Sequence, residues 1–164
     1  MLLFFRVAVI VLKSLFRRRR DMLAESLLRL RVWPTDMDLN FHLNDGRYVS
    51  FTGLGRIDLM LGSGLLRRAM KRKWYPVAGA AMIRYRREIG SFERFALRSR
   101  IVGWDEKWFY FEHRFEKGGD LAAISYVRGL LRKREGPVPT PDVLALIGHL
   151  DPSPPLPDFV ERFP

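Results

Sequence analysis

Apolar and polar residues follow two different periods along this chain, and the changes of period divide it. Residues 1–16 are apolar except for Arg6, Lys13 and Ser14. At 100° per residue Arg6, Lys13, Arg17 and Arg20 fall in one narrow stripe, which predicts an amphipathic helix over 1–20. Leu27 to Trp33 alternates as a strand and stops at Pro34, which cannot donate to a sheet ladder. Asn44 or Asp45 can then cap a helix from Gly46 to Met70 whose expected inner face carries Val49, Gly53, Ile57, Met60, Leu61 and Gly64. Its glycines, at 46, 53, 55, 62 and 64, each cost roughly 1 kcal/mol against Ala in a helix, which predicts close packing against another backbone or a break near Gly62.

After Pro76 the period becomes two. Four alternating runs follow, Val77 to Glu88, Glu93 to Trp104, Lys107 to Glu116 and Leu121 to Arg134, joined at "GSF", "WDEK" and "KGGD". Phe95, Leu97 and Ile101 share one face, as do Phe109, Phe111 and Phe115, so a meander with one buried face is expected. Ala78, Gly79, Ala80 and Ala81 are small enough to let the helix approach that sheet. Eight of the ten prolines lie between Pro137 and Pro164, around a short helix expected from Val143 to Leu150 and capped at Thr140. The order predicts an α+β fold in three parts: a basic helix over 1–20, one domain over 21–136 with its antiparallel sheet against a long helix, and a Pro-rich tail over 137–164.

Composition narrows the function. With 164 residues and 48% hydrophobic positions the chain can bury one full core. The absence of cysteine removes disulfides, thiol nucleophiles and thiolate metal sites, and His42, His113 and His149 lack ligand spacing, so neither metal nor cofactor is expected. The formal charge of +11 suggests nucleic acid until it is divided: six of the excess charges lie in residues 1–20, and the body carries no nucleic-acid-binding motif. No nucleic-acid partner is expected. As a helix, the apolar run reaches ~24 Å against a ~30 Å hydrocarbon core. It is expected to lie in an anionic membrane interface, with the body in the cytoplasm; packing on its own domain or on a dimer partner is the alternative.

The chemistry concentrates in "TDMDLNFHLNDGRY", Thr35 to Tyr48, where Asp36, Asp38, Asn40, His42 and Asn44 occupy alternate positions. In an extended chain they would share one face, yet Asp and Asn are depleted from strands. Asp38, Asn40 and His42 offer a carboxylate, an amide and an imidazole just before a helix start, whose free N–H groups near Asp45, Gly46 and Arg47 could polarise a carbonyl. That set suits acyl transfer, and it equally suits capping and turn formation; spacing alone leaves both open. Asp36 is read as a turn or cap group, Asn44 as the helix cap and His113 as a structural histidine with its hydrogen bonds satisfied. Arg84, Arg86, Arg87, Arg98 and Arg100 could meet a coenzyme phosphate or an acidic carrier, or simply coat solvated strands.

The stretch resembles the D-x-D-x-N-x-H-x-N-x-x-Y signature of hot-dog-fold thioesterases, in particular the plant acyl-ACP thioesterases and the 4-hydroxybenzoyl-CoA thioesterase-like families. "YRREIG", Tyr85 to Gly90, is similar to the plant enzymes' Y-R-R-E-C-G, with Ile89 in place of cysteine. The pattern as a whole also resembles small superfamily members with an N-terminal hydrophobic segment. The resemblance implies a hot-dog fold, a sheet curled around the long helix. It places Asp38 at the family's catalytic carboxylate, Asn40 at its amide, His42 at its imidazole and Glu88 at the glutamate near the reacting water. It implies hydrolysis of acyl-CoA or acyl-ACP thioesters; a non-catalytic protein holding acyl thioesters or lipids at the membrane is the alternative. The plant enzymes hold two hot-dog units, so a homodimer of this chain would restore the pair.

Overall fold

The computed structural model describes residues 2–163, so Met1 and Pro164, the outermost residues of the two expected terminal segments, lie outside it. Five antiparallel strands follow the order β1-β3-β4-β5-β2, with β1 at Ser26–Arg31, β2 at Tyr75–Tyr85, β3 at Arg94–Trp104, β4 at Phe109–Lys117 and β5 at Asp120–Lys133. A two-residue strand β6, Gly136–Pro137, pairs with the end of β5. The sheet curls around one helix, α2 at Asp45–Gly62, which is the hot-dog arrangement.

The alternation read from the sequence explains the core. Leu97 on β3 sits opposite Phe115 on β4, and Phe115 opposite Ala123 on β5, so one face of three strands is continuous apolar surface. Tyr48, Phe51 and Leu54 of α2 press on it together with Leu28 and Phe95, all of them buried. A second cluster, around Trp104, Phe109, Phe111 and Leu131, is closed by α3 at Leu65–Lys71 and α4 at Thr140–Ile147.

The break that the glycines left open is present: the helix ends at Gly62, turns through Gly64 in the left-handed region at φ 76° and restarts as α3, which replaces the unbroken run to Met70. Two further expectations are corrected. The inner face of α2 is only partly the one expected: Met60 is buried and Ile57 and Leu61 pack on the core, but Tyr48, Phe51, Thr52, Leu54, Gly55, Asp58 and Leu59 are also buried and Val49 is exposed. Glycine carries no hydropathy signal, yet Gly55 marks the contact line, because a Cβ there would sit 2.1 Å from Ser99 Oγ. The small residues of β2 do not lie under α2, which rests mainly on β3 and β1; Ala78, Gly79 and Ala81 are exposed, and Gly79 is faced by the Trp108 ring.

The N-terminal helix α1, Leu2–Leu15, packs beside α2. Of the basic stripe, Arg6, Arg17 and Arg20 turn to the protein, while Lys13 is exposed. Arg6 is buried against Asp36, while Arg17 and Arg20 reach the buried Asp58, which also accepts a hydrogen bond from Ser26 Oγ at 2.7 Å. Two internal carboxylates with nearby N-terminal arginines explain the inversion, since a buried charge needs a partner. Phe4, Phe5, Val11, Leu12, Leu15 and Phe16 are left exposed on the outer side. Among the described residues no helix is long and apolar enough to cross a membrane.

Candidate active site

After β1 the chain makes a single 3-10 turn, Pro34–Asp36. The Asp36 carboxylate folds back to accept the Trp33 N–H at 3.1 Å and two hydrogen bonds from Arg6, at 2.6 and 3.0 Å. The turn role expected for Asp36 is present, joined to a buried ion pair that sequence spacing does not reveal.

The next residues are not a strand. Met37 and Leu43 form an isolated bridge, and the chain between them reverses through Phe41 at φ 60°. Asp38 Oδ1 holds this reversal, accepting the N–H groups of Asn40 at 2.9 Å and His42 at 3.1 Å. The five polar side chains therefore do not share one face: Asp36 points inward, Asn40 is exposed, and Asn44 Oδ1 caps α2 by accepting the Gly46 N–H at 2.9 Å.

The end of β2 comes alongside. Leu43 N–H donates to Ile89 O at 2.8 Å and His42 bridges Gly90, so the "YRREIG" segment lies against the reversal. His42 Nε2 stands 3.5 Å from Glu88 Oε2, an ion-pair contact when the ring is protonated and long for a hydrogen bond. Both lie at the surface, Glu88 side chain 69% and His42 37% exposed. An open cleft of about 320 Å³ is lined by Asp38, His42, Asp45, Tyr48, Arg87 and Glu88 among others.

Asp38, His42, Glu88 and Asp45 are thus brought together, whereas Asn40, Gly46 and Arg47 are not in the cleft lining. Arg47 turns its guanidinium to Thr35 O at 2.7 Å. The Gly46 N–H is taken by the Asn44 side chain and the Arg47 N–H by Asn44 O at 2.9 Å, so two of the three donors at the helix start are already occupied.

Two tyrosines complete the cleft. Tyr48 is buried, its ring edge-on to Tyr85 at 5.1 Å. Burial, helped by Tyr85 and the Asp45 carboxylate, pushes its phenol up to about 12, and burial and Asp45 also raise that of Tyr85. Tyr48 closes the first motif and Tyr85 opens the second, a coincidence the sequence displays and a search for carboxylate, amide and imidazole passes over. Of the candidate arginines, Arg87 pairs with Asp120, Arg98 with Glu25 and Glu116, and Arg100 with Glu112. Arg84 and Arg86 have no acidic partner among the described residues, and Arg86 lines the cleft.

His113 corrects another expectation. It is fully buried with Nδ1 2.8 Å from Ser99 Oγ, but Nε2 has no partner among the described residues, so its hydrogen bonds are only half satisfied there. Burial first, and then the nearby Arg56 charge, hold its pKa well below the usual imidazole value.

Residues 32–160 match the family model described as thioesterase-like superfamily. The chain is 41% identical over 111 residues to the protein called THEM6 in Danio rerio, covering 66% of this chain and 55% of that one. The chain spans about half the length of the curated relatives it matches. Among solved structures, a probable thioesterase from Bartonella henselae superposes with TM-score 0.66 at 21% identity, covering 72% of this chain and all of that one. A 1,4-dihydroxy-2-naphthoyl-CoA thioesterase from Synechocystis does so with TM-score 0.65 at 12% identity, over 78% and 98%. At these identities the structural likeness speaks for the fold.

Proposed function

The chain belongs to the thioesterase-like superfamily, and from that premise we propose that it hydrolyses acyl-CoA or acyl-ACP thioesters in the cleft between the Asp38 reversal and Glu88. The observation that carries this reading is the meeting of two distant motifs: Leu43 on Ile89 and His42 facing Glu88 at 3.5 Å, with Asp38 beside them at the start of α2. In this reading Asp38, whose Oδ2 has no protein hydrogen bond among the described residues, attacks the thioester carbonyl or takes a proton from the attacking water. The carbonyl oxygen becomes an oxyanion at the helix start, using the Asp45 N–H or displacing Asn44 Oδ1 from the Gly46 N–H. Collapse expels the thiolate, which takes up a proton; where water attacked, the free acid results, and where Asp38 attacked, water then hydrolyses the mixed anhydride and restores the carboxylate. His42 and Glu88 orient the water, the exposed Asn40 amide steadies the substrate, and Arg86 supplies a cation for coenzyme phosphate.

Two finer parts of the reading rest on surfaces. Strand β2 is a sheet edge whose small residues are exposed, and pairing of two such edges would make the homodimer and bring a second subunit near Tyr85 to Glu88. The outer face of α1, with its exposed phenylalanines and leucines, the exposed Lys13 and Arg18 just past the helix end, fits a peripheral position on an anionic membrane facing the cytoplasm.

The test is thiol release from a panel of acyl-CoAs and acyl-ACPs by the full chain. Asp38→Asn should lower kcat at least about a hundredfold with the circular dichroism unchanged. Unchanged turnover would remove Asp38 from the chemistry. One observation favours a second reading, a non-catalytic protein that holds acyl thioesters: Asp38 Oδ1 is already engaged by two backbone N–H groups, as in a plain turn. Binding of acyl-CoA without turnover in either form would select it.

A further inference from the structure

Beneath the C-terminal half of α2 lies a second cavity, of about 160 Å³, that shares no lining residue with the cleft. Its walls are almost wholly apolar, with Ile57, Met60, Phe109, Phe111 and Leu131 prominent, and the start of β2 closes one side through Val77 and Ala78. The polar Ser63 turns its hydroxyl to Leu59 O and Met60 O, and the one charged residue among the described lining is Arg56. Its guanidinium makes one protein hydrogen bond, Nη1 to Thr52 Oγ1 at 3.0 Å, and no ion pair among the described residues. Arg6 and Arg20, which also reach inward, each have a carboxylate, Asp36 and Asp58.

A guanidinium carries five donors and stays charged, so an apolar setting with one neutral acceptor leaves it costly. Burial lowers its pKa only to about 10, which keeps the charge at neutral pH. The groups around it cannot supply a counter-charge: Thr52 is neutral, and His113, stacked on Phe111, is held neutral by burial and by Arg56 itself. Asp58, two residues on, is already committed to Arg17, Arg20 and Ser26.

We infer that this cavity binds an aliphatic carboxylate, with the chain along the apolar walls and the carboxylate on Arg56. The volume holds on the order of ten non-hydrogen atoms by comparison with the space one water needs, which is the size of octanoate. The carboxylate has two possible sources: a free acid, or the far end of a dicarboxylyl thioester whose carbonyl sits at the helix start, about 16 Å back along α2 from Arg56 at 1.5 Å per residue. Only the second source rests on the thioesterase reading; binding of the free acid stands without it.

The test titrates the full chain with octanoate and with octan-1-ol, which has the same chain and no charge. Octanoate should bind saturably and roughly ten- to a hundredfold more tightly than the alcohol, the range of one charge-assisted hydrogen-bonded contact. It should also shift the His113 ring resonances, which locates the site without any variant. Arg56→Met should bring octanoate down to the level of the alcohol, and Arg56→Lys should keep part of the preference. Equal affinity of acid and alcohol, a preference that survives Arg56→Met, or unmoved His113 resonances would each overturn the inference. A second arm compares tetradecanedioyl-CoA, whose extended chain matches the distance from the helix start to Arg56, with tetradecanoyl-CoA. Faster hydrolysis of the first, lost in Arg56→Met, assigns the carboxylate to the substrate; octanoate binding with no such preference, or with no hydrolysis of either, assigns it to a free acid.

Discussion

Arg6 and Asp36 form a two-point ion pair inside the protein, at 2.6 and 3.0 Å, that ties the N-terminal helix to the turn two residues before Asp38. Both side chains are nine-tenths or more buried, and Asp36 also fixes the Trp33 N–H. The same contact that docks α1 therefore shapes the approach to the cleft.

Removing one partner of such a pair leaves a buried charge alone. Asp36→Asn should cost on the order of 3–5 kcal/mol in urea unfolding, and Arg6→Met a comparable amount. The double variant should cost less than the sum, because the stranded charge is gone. Single-variant losses below about 0.5 kcal/mol would mean that α1 does not dock this way in solution.

Gly53 and Gly55, two residues apart on α2, should respond oppositely to alanine. At Gly55 a new Cβ would meet Ser99 Oγ at 2.1 Å and Ser99 Cβ at 2.9 Å, so Gly55→Ala should destabilise by about 1–3 kcal/mol. At Gly53 the nearest atom is Arg56 Nη2 at 3.8 Å, and the helix propensity of Ala should stabilise by up to about 1 kcal/mol. Thermal unfolding of the pair tests the contact line between α2 and β3 directly. Equal effects would refute it.

His113 gives a pH signature. Its folded pKa lies well below the unfolded value near 6.5, so between the two the unfolded chain binds the extra proton. Stability from this group is therefore complete above about pH 6.5 and is lost as pH falls below it, by up to about 1.4 kcal/mol per pH unit. Glu93 and Asp105, whose carboxyls are held below their usual values, lose their contributions only nearer pH 4. Between pH 5 and 7 the slope should vanish in His113→Asn, and a slope identical in parent and variant would show that the imidazole is not buried neutral.

Strands β3 and β4 were legible because they bury apolar faces, and alternation records that directly: Phe95, Leu97, Phe109, Phe111 and Phe115 all lie where period two places them. The face of α2 was not, because its contact line runs through Gly55 and Thr52, which hydropathy does not mark, while Val49 points outward. At the cleft, the local turn chemistry of Asn44 and Asp36 could be read from residue type, since both act within three residues of themselves. The partners of Asp36 and Asp58 could not, since Arg6, Arg17 and Arg20 reach them over 30 or more residues. Arg56 was hidden for the same reason: a lone basic residue in a helix looks solvated until the surrounding sheet is known.

That long-range pairing also reverses what the N-terminal helix offers a membrane. With Arg6, Arg17 and Arg20 turned inward, the outward surface is Phe4, Phe5, Leu12, Leu15 and Phe16, with Phe16 86% exposed. If these side chains enter the interface, each fully buried one contributes roughly 1.5–3 kcal/mol, and a carboxylate placed among them opposes insertion. Leu12→Asp combined with Phe16→Asp should abolish co-sedimentation with phosphatidylserine-containing vesicles while leaving the unfolding midpoint nearly unchanged, because neither side chain packs on the domain. Arg17→Gln with Arg20→Gln should instead lower the midpoint, through Asp58, with little loss of vesicle binding. The opposite pair of results would mean that α1 leaves the domain at the bilayer and presents its arginines to the headgroups.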